Sequence, residues 1–337
     1  MNAAGRSRIV RGLLDRTPWL LFAGVILFFG LRSPVFLRPE NALNILVQTS
    51  STGILAVGMT FVLLTAGIDL SVGSVMFVAA AIGGKLALSG WPLGGAVVAM
   101  LGVGVAYGGL NALFVARFGL LAFVVTLATR YVGRGLGLRI TETRAMNLPE
   151  AFYTLGADRW LGIPVPVLVF ASVAILSHLV LTRTPFGRAV YAVGADPDAA
   201  RKAGLSTRGI LAAVYVLCGL CAAVSAVVAL SQAPAVSPTF GHNREFMAIA
   251  AAVLGGTSLF GGRGAVLPGT VMGAVLIQTI ENGMNILNVD PYLYPIITGG
   301  VIFLAVLLDA TRHRVLARID RRPIHHETAD ASSARTA

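Results

Sequence analysis

A single carboxylate interrupts a long apolar part of the chain. The runs 41–68 and 70–84 contain no charged residue, and Asp69 stands alone between them. A carboxylate in such a place can accept hydrogen bonds from free backbone N–H groups where a helix begins, or it can line a water-filled path through a membrane. Ser71 lies close to it, and glycines flank the pair on both sides. We therefore expect Asp69 and Ser71 to lie at a helix break, on a solute path, or at both.

A second set of polar side chains shares one face of an apolar segment towards the C-terminal end. Gln278, Asn282 and Asn285 are spaced at i, i+4 and i+7, and this spacing places them on one side of a helix. Glu281 lies beside that face. Amides in a membrane helix can line a hydrophilic path or hydrogen-bond to neighbouring helices, and the sequence leaves both interpretations open.

Motifs for catalysis, nucleotide binding and metal binding are missing from the sequence. No G-x-x-x-x-G-K-[ST] loop occurs, and the glycine-rich stretch 255–264 joins two apolar segments, which indicates a tight turn. The five histidines are scattered and include no HExxH pair. Cys218 and Cys221 form a CxxC inside an uncharged run, so we interpret them as packing residues of a membrane helix. We therefore predict a protein that is not an enzyme, with no catalytic residue, metal site or cofactor.

The elements that hold these side chains are predicted to be membrane helices. Hydrophobic residues make up 56% of the 337 residues and charged residues 12%, whereas a soluble domain carries about 25% charged residues. Uncharged stretches such as 86–116, 160–182 and 209–243 are long enough to cross about 30 Å of hydrocarbon as helices. We predict an all-α polytopic membrane protein with about ten transmembrane helices. The predicted segments are 18–37, 42–66, 71–89, 91–116, 118–140, 163–182, 209–232, 244–260, 265–287 and 292–310.

The distribution of charge predicts the orientation of these segments. The net charge is +11, and the basic residues concentrate in 6–16, 183–208 and 312–322, which alternate with the apolar segments. With both termini inside, 17 of the 26 Lys and Arg residues fall on the inner side, as the positive-inside rule expects. This pattern favours an N-in, C-in membrane protein in the lipid bilayer and argues against a nucleic-acid partner. The predicted division is a cytoplasmic N-terminal tail 1–17, a transmembrane domain 18–310 and a cytoplasmic C-terminal tail 311–337.

One inner loop, 183–208, is polar enough to leave the membrane. It contains PDAARKAG, for which we predict a short helix over 197–203, with Asp196 as its N-cap and Gly204 after its last turn. A solvated loop with an incidental helix is the alternative. The alanines expected to form an inner face against which a partner could pack are Ala199, Ala200 and Ala203.

Four stretches carry a family resemblance: GMTFVLLTAGIDLSVGS, RFGLLAFVVTLATRYVGRGL, TPFGRAVYAVGADPDAARKAGLS and IAAAVLGGTSLFGGRGAVLPGTVMGAVL. In this order and spacing they resemble the membrane permeases of bacterial ABC importers for monosaccharides, the ribose permease type. The resemblance covers roughly residues 40–310 and implies the ABC importer permease fold, multi-pass in the bacterial inner membrane. It also implies a homodimer, a separate cytoplasmic ABC ATPase subunit that binds the ATP, and a periplasmic substrate-binding protein.

The loop that meets the ATPase in this family resembles 187–204 of this chain. Importers carry an E-A-A-x-x-x-G pattern there, and this chain has D-A-A-R-K-A-G, with Asp in place of Glu. The resemblance therefore implies that the loop 183–208 couples the permease to the ATPase. The coupling residues that it implies are Gly187, Arg188, Asp198, Ala199, Ala200 and Gly204.

The resemblance implies the transmembrane subunit of an ATP-driven importer for a ribose-like pentose or a hexose. Two departures bear on the substrate: Met247 stands where many relatives carry an acid, and Arg130 where relatives are usually uncharged. A permease for another small polar solute, such as a polyol, a nucleoside or a branched-chain amino acid, is the alternative. An ion-coupled secondary transporter with Asp69 and Glu281 as its titratable groups is a further alternative. The residues predicted for the translocation path or the helix break are Asp69, Ser71, Gln278, Asn282 and Asn285.

Overall fold

The structure, a computed structural model, describes residues 19–301 together with 303, 304, 307 and 311. The predicted tail 1–17 and all of the tail 311–337 after its first residue lie outside the described residues. The helices are α1 (Trp19–Arg32), α2 (Pro39–Leu64), α3 (Val72–Leu88), α4 (Leu93–Ala112, continued by a π turn, Leu113–Arg117), α5 (Ala122–Thr141), α6 (Glu150–Ala157), α7 (Val165–Arg183), α8 (Pro185–Ala195), α9 (Pro197–Lys202), α10 (Thr207–Gln232), α11 (Arg244–Leu254), α12 (Val271–Ile286, preceded by a π turn, Val266–Thr270) and α13, described over 294–301 after a 3₁₀ turn, Pro291–Leu293.

Each of the ten predicted segments overlaps one of these helices. Among the described residues, four helices are long and apolar enough to cross a membrane: α2, α4 with its π turn, α7 and α10. Helices α1 and α3 are shorter and also apolar. Helix α11 has 11 residues and would rise only about 16 Å, which is too short for a complete span. The prediction of a helical, multi-pass membrane protein is confirmed.

Helix α2 lies at the centre of the structure. Every side chain from Thr49 to Leu64 is buried, so this helix is surrounded on all sides by α7, α10, α11 and α12. In a membrane such packing depends on close contact and on hydrogen bonds between helices. Ser225 Oγ of α10 donates to the carbonyl oxygen of Ser51 over 2.7 Å. Helix α2 is therefore an element that several of the other helices contact.

Helices α4 and α10 pack together through glycine. A Cβ atom at Gly104 would overlap the carbonyl oxygen of Gly219, and a Cβ at Gly219 would overlap that of Gly104. This close approach is the one that small residues spaced four apart allow in membranes. Cys218 and Cys221 lie in the same part of α10 as free thiols, Cys218 buried and Cys221 partly buried, as expected of packing residues.

The polar loop 141–162 is more ordered than its composition suggests. It forms α6 and two short strands, β1 (Met146–Asn147) and β2 (Arg159–Trp160). Strand β1 pairs antiparallel with β4 (Ala235–Val236), and β2 pairs antiparallel with β3 (Ile163–Pro164). Gly156 of α6 lies directly against the carbonyl of Ser231. The loop is therefore attached to the C-terminal end of α10.

Candidate functional site

Asp69 is the acceptor at the start of a buried hydrogen-bond chain. Its Oδ1 accepts from the backbone N–H of Ser71 (2.9 Å) and from Ser71 Oγ (2.6 Å). Asn111 of α4 donates to Ser71 Oγ (2.8 Å), and Thr129 of α5 donates to the amide oxygen of Asn111 (2.9 Å). Asp69 is therefore an acceptor just before α3, but it is not the predicted cap: α3 begins at Val72 with Ser71 as its N-cap and has no side-chain capping bond. The chain of bonds ties the break before α3 to α4 and α5.

The burial of this network bears on whether Asp69 and Ser71 lie at a helix break or line a solute path. Their exposed fractions are 1% and 0%, so both side chains are closed to solvent in this structure, and the geometry supports the helix-break role. Asn111 and Thr129 were missed by the sequence analysis. A signal existed for Asn111, since it is the only Asn or Gln in the uncharged run 86–116.

Replacing Asp69 with alanine should lower the free energy of unfolding by about 1–3 kcal/mol, because the N–H and hydroxyl of Ser71 would lose a buried acceptor. Asp69→Asn keeps one acceptor oxygen and should cost less. The measurement is the unfolding midpoint in detergent, with the exposed Asp158→Ala as the control. A midpoint for Asp69→Ala equal to that of the control would contradict the network.

The predicted amide face of α12 bonds mainly to other helices. Gln278 Nε2 donates to Gln48 Oε1 of α2 over 3.0 Å, and Asn285 Oδ1 accepts from the hydroxyl of Tyr294 over 2.7 Å. Asn282 is buried, and its Oδ1 has no hydrogen-bond partner. Of the two interpretations left open by the sequence, helix-to-helix bonding describes Gln278 and Asn285 in this structure.

A cluster of charges joins α5 to α11. Arg130 of α5 and Glu245 of α11 form an ion pair of 2.6 Å, and the Glu245 side chain is 1% exposed. Arg134, one turn further along α5, donates to the carbonyl oxygen of Phe240 over 2.7 Å. Its guanidinium lies 5.2 Å from the ring centroid of Phe77. Arg130, noted in the sequence as a departure from the family pattern, therefore has a buried partner in the neighbouring helix.

A cavity of about 440 Å³ opens beside this cluster, where α11 begins. Arg244 and Glu281 bring opposite charges to its wall, and Phe246 and Tyr294 bring aromatic rings. Arg244 also donates to Thr52 Oγ1, midway along the 26-residue α2, over 2.7 Å. The residues that line the cavity are His242, Asn243, Arg244, Phe246, Met247, Glu281, Tyr294, Pro295, Thr298 and Gly299.

The loop 183–208 folds as two short helices. Asp196 Oδ1 accepts from the N–H groups of Asp198 and Ala199, both over 2.9 Å, and Gly204 adopts a φ of 84° after α9. The predicted helix, its cap and its glycine stop are confirmed. The expectation that three alanines share an inner face is wrong, because Ala200 is buried against the chain. Ala199 and Ala203 are exposed.

Two further predicted residues of the loop lie on α8. Gly187 is buried against the backbone of Leu181, and its N–H is capped by Thr184 Oγ1 at 3.1 Å. Arg188, the next residue, is exposed. Only one of this pair is therefore open to a partner.

Helix α8 is joined to the end of α2 and to the glycine-rich turn 255–264. Gly194 lies so close to the carbonyl oxygen of Leu64 that a Cβ would overlap it, and the N–H of Gly262 donates to the same oxygen over 2.9 Å. The hydroxyl of Tyr191 donates to the carbonyl of Gly264 over 2.8 Å, and burial raises the pKa of this tyrosine. We call this contact, formed by Tyr191, Gly194, Leu64, Gly262 and Gly264, the glycine junction.

The glycine junction joins the loop 183–208 to the turn at the end of α11, and the other end of α11 lines the cavity. The turn 255–264 follows directly on α11, and α11 carries Arg244 and Glu245 at its other end. The four glycines of the turn with positive φ confirm the tight-turn prediction. Helix α8, the end of α2 and the turn that follows α11 are therefore in direct contact.

Comparison with known proteins gives a family match over most of the chain. Residues 41–306 match the family described as "Branched-chain amino acid transport system / permease component". The chain is 35% identical to the ribose import permease protein of Haemophilus influenzae, over 91% of this chain and 97% of that protein. It is 37% identical to the ribose import permease protein of Bacillus subtilis, over 87% and 91%. It is 36% identical to the D-allose transport system permease protein of Escherichia coli, over 86% and 90%. No solved structure matches the chain.

Proposed function

The chain belongs to the family of transport-system permease components that its residues 41–306 match, and from this premise we propose that it is the transmembrane subunit of an ATP-driven ABC importer for a monosaccharide. The observation that carries the proposal is the similarity to permeases named for ribose and D-allose over nearly the whole of both chains. The permease performs no chemistry on its substrate. It provides the path, and its differential contacts with the two states of its partner provide the coupling.

The proposed orientation has ten membrane segments with both termini in the cytoplasm of a bacterium and the domain in its inner membrane. It rests on the 17 of 26 basic residues that fall on the inner side. The contacts of the structure agree with it. Leu64, α8 and the turn 255–264 lie together at the glycine junction, and the orientation assigns all three to the cytoplasmic side.

We assign the loop 183–208 to the ATPase partner. Helix α9 is capped at its start, stopped by glycine at its end, and exposed at Ala199, Ala203 and its basic residues Arg201 and Lys202. Small exposed side chains on a rigid short helix fit the groove of a partner. Ala200 and Gly187 are buried and attach the loop to the rest of the chain. The other proposed partners are a periplasmic binding protein and a second copy of the permease.

Ala199→Arg should abolish stimulation of the partner ATPase by the loaded binding protein, because an arginine on the exposed face of α9 would separate the two subunits. The affinity between the two subunits should fall about tenfold or more, a loss of about 1.4 kcal/mol, and stimulation should fall with it. Ala199→Ser is the matched control, since it keeps a small side chain at the same position. Equal stimulation in both variants would show that α9 does not face the ATPase.

A different solute class is the second candidate, because the matching family description names branched-chain amino acids. The relatives named for ribose, D-allose and xylose favour a sugar. A secondary transporter is less well supported, since the matching family is described as a component of a transport system.

Uptake by cells and the ligand of the cognate binding protein test the substrate class. Cells that lack this permease should lose uptake of at least one of radiolabelled D-ribose, D-allose and D-xylose, and the purified binding protein should bind the same sugar. Uptake of L-leucine should be unchanged. Loss of leucine uptake with normal uptake of all three sugars would contradict the proposal.

A further inference from the structure

The charged residues around the cavity lie at the depth of the membrane helices. Arg244 contacts Thr52 at the middle of α2, and Glu281 belongs to α12, whose Gln278 bonds to α2. A charged side chain in the membrane interior carries a high cost, and such residues almost always face a water-filled cavity or a partner of opposite charge. Arg244 and Glu281 line the same cavity and carry opposite charges.

The chemistry of the wall suits a neutral solute with many hydroxyl groups. A carboxylate accepts hydrogen bonds from hydroxyls, and a guanidinium donates to their oxygens. Phe246, which is 40% exposed, and Tyr294 line the same space, and aromatic rings give a sugar ring an apolar surface on which to pack. The volume of about 440 Å³ lies within the range of about 300–1,000 Å³ that is usual for small-molecule sites.

We propose that this cavity is the sugar-binding station of the permease, where Glu281 and Arg244 hold the hydroxyl groups of a neutral monosaccharide between its release by the binding protein and its passage inward. The proposal rests on the proposed function of the chain and adds the site at which the path recognises its solute. Neither Arg244 nor Glu281 was among the residues that the sequence predicted for the translocation path. Glu245, next in the chain, is held instead by Arg130.

Water access to the cavity can be measured without knowing the substrate. Met247→Cys, placed in a Cys218→Ala, Cys221→Ala background, should react with a water-soluble cationic methanethiosulfonate reagent in proteoliposomes that contain the complete importer. Leu176→Cys in the same background is the control, because Leu176 is exposed on the side of α7 and should face lipid. The expected difference in rate is about tenfold or more. Equal rates, or no reaction at Met247→Cys, would overturn a water-filled station.

Recognition of sugar requires a second measurement on the same importer. Glu281→Gln and Arg244→Gln should each lower uptake of D-ribose, D-allose or D-xylose by about tenfold or more, the size expected for a lost charge-assisted hydrogen bond. Co-purification of the partner ATPase with each variant should match the wild type, which shows that the permease has folded and assembled. Glu142→Gln, at an exposed carboxylate, is the matched control. An excess of the imported sugar should slow the modification of Met247→Cys.

The outcomes separate this site from the function on which it rests. Normal sugar uptake by both variants, or modification of Met247→Cys that sugar does not slow, overturns the station and leaves the importer standing. Protection by L-leucine instead of a sugar overturns the assigned chemistry of the station. Absence of sugar uptake by the wild-type importer overturns the proposed function together with the station.

Discussion

Gly194→Ala should abolish coupled transport, because one methyl group has no room at the glycine junction. A Cβ there would overlap the carbonyl oxygen of Leu64 and lie 2.8 Å from the backbone nitrogen of Gly262. Relief of this overlap would force apart α8 and the end of α2, at a cost of about 1–3 kcal/mol for overpacking and about 1 kcal/mol for the weakened bond from Gly262. The readouts are the unfolding midpoint and the stimulation of the partner ATPase.

Two further variants distinguish loss of coupling from loss of folding. Gly135→Ala makes the same change in the interior of α5 where no atom lies within 4 Å of the new Cβ, so it should leave stability and transport near wild type. Tyr191→Phe removes only the hydrogen bond to Gly264 and should cost about 0.5–1.5 kcal/mol. The transport rate of Tyr191→Phe should fall clearly, while its unfolding midpoint should stay close to that of the wild type. Wild-type transport by both Gly194→Ala and Tyr191→Phe would show that the junction does not transmit the movement of the loop.

Glu245→Gln should lower the free energy of unfolding by about 3–5 kcal/mol, because it removes the carboxylate from a pair that lies 2.6 Å apart and is nearly closed to solvent. Arg130 would then keep a charge in the bundle without its partner. The change should be measured by unfolding in mixed detergent micelles. The double variant Arg130→Gln, Glu245→Gln should lose less free energy of unfolding than the two single variants lose in sum, since the two residues are coupled.

An exposed ion pair in the same chain provides the comparison. Lys85 and Glu142 lie 3.7 Å apart with side chains 51% and 72% exposed. Breaking this pair with Glu142→Gln should change stability by about 0–1 kcal/mol. Similar decreases in the free energy of unfolding for Glu142→Gln and Glu245→Gln would mean that the Arg130–Glu245 pair is not buried in the assembled importer.

The sequence predicted features that depend on local pattern. The apolar runs predicted where helices lie, because a helix that faces lipid or other apolar helices needs uncharged residues over its whole length. The cap at Asp196 and the stop at Gly204 were predicted for a similar reason, since capping joins residues that are close in the chain. Asp69 as an acceptor at the break before α3 belongs to the same group.

Features that join distant parts of the chain could not be predicted in this way. The Arg130–Glu245 pair joins residues 115 positions apart, and the glycine junction brings Leu64 to Gly194 and Gly262. A glycine shows that close approach is possible but does not show which backbone approaches. The amide face of α12 was identified by its spacing, yet its main partners, such as Gln48, lie in other helices. The cavity was missed because its wall combines residues of a loop and of three helices, α11, α12 and α13.

ATP-driven sugar import by this chain is best tested by uptake of labelled D-ribose, D-allose and D-xylose into proteoliposomes that contain the chain and its partner ATPase. ATP would be enclosed and the loaded binding protein added outside. We expect that one of these sugars accumulates only with hydrolysable ATP and the binding protein present, and that a protonophore leaves the rate unchanged. Accumulation driven by a proton gradient in liposomes that contain this chain alone would contradict it.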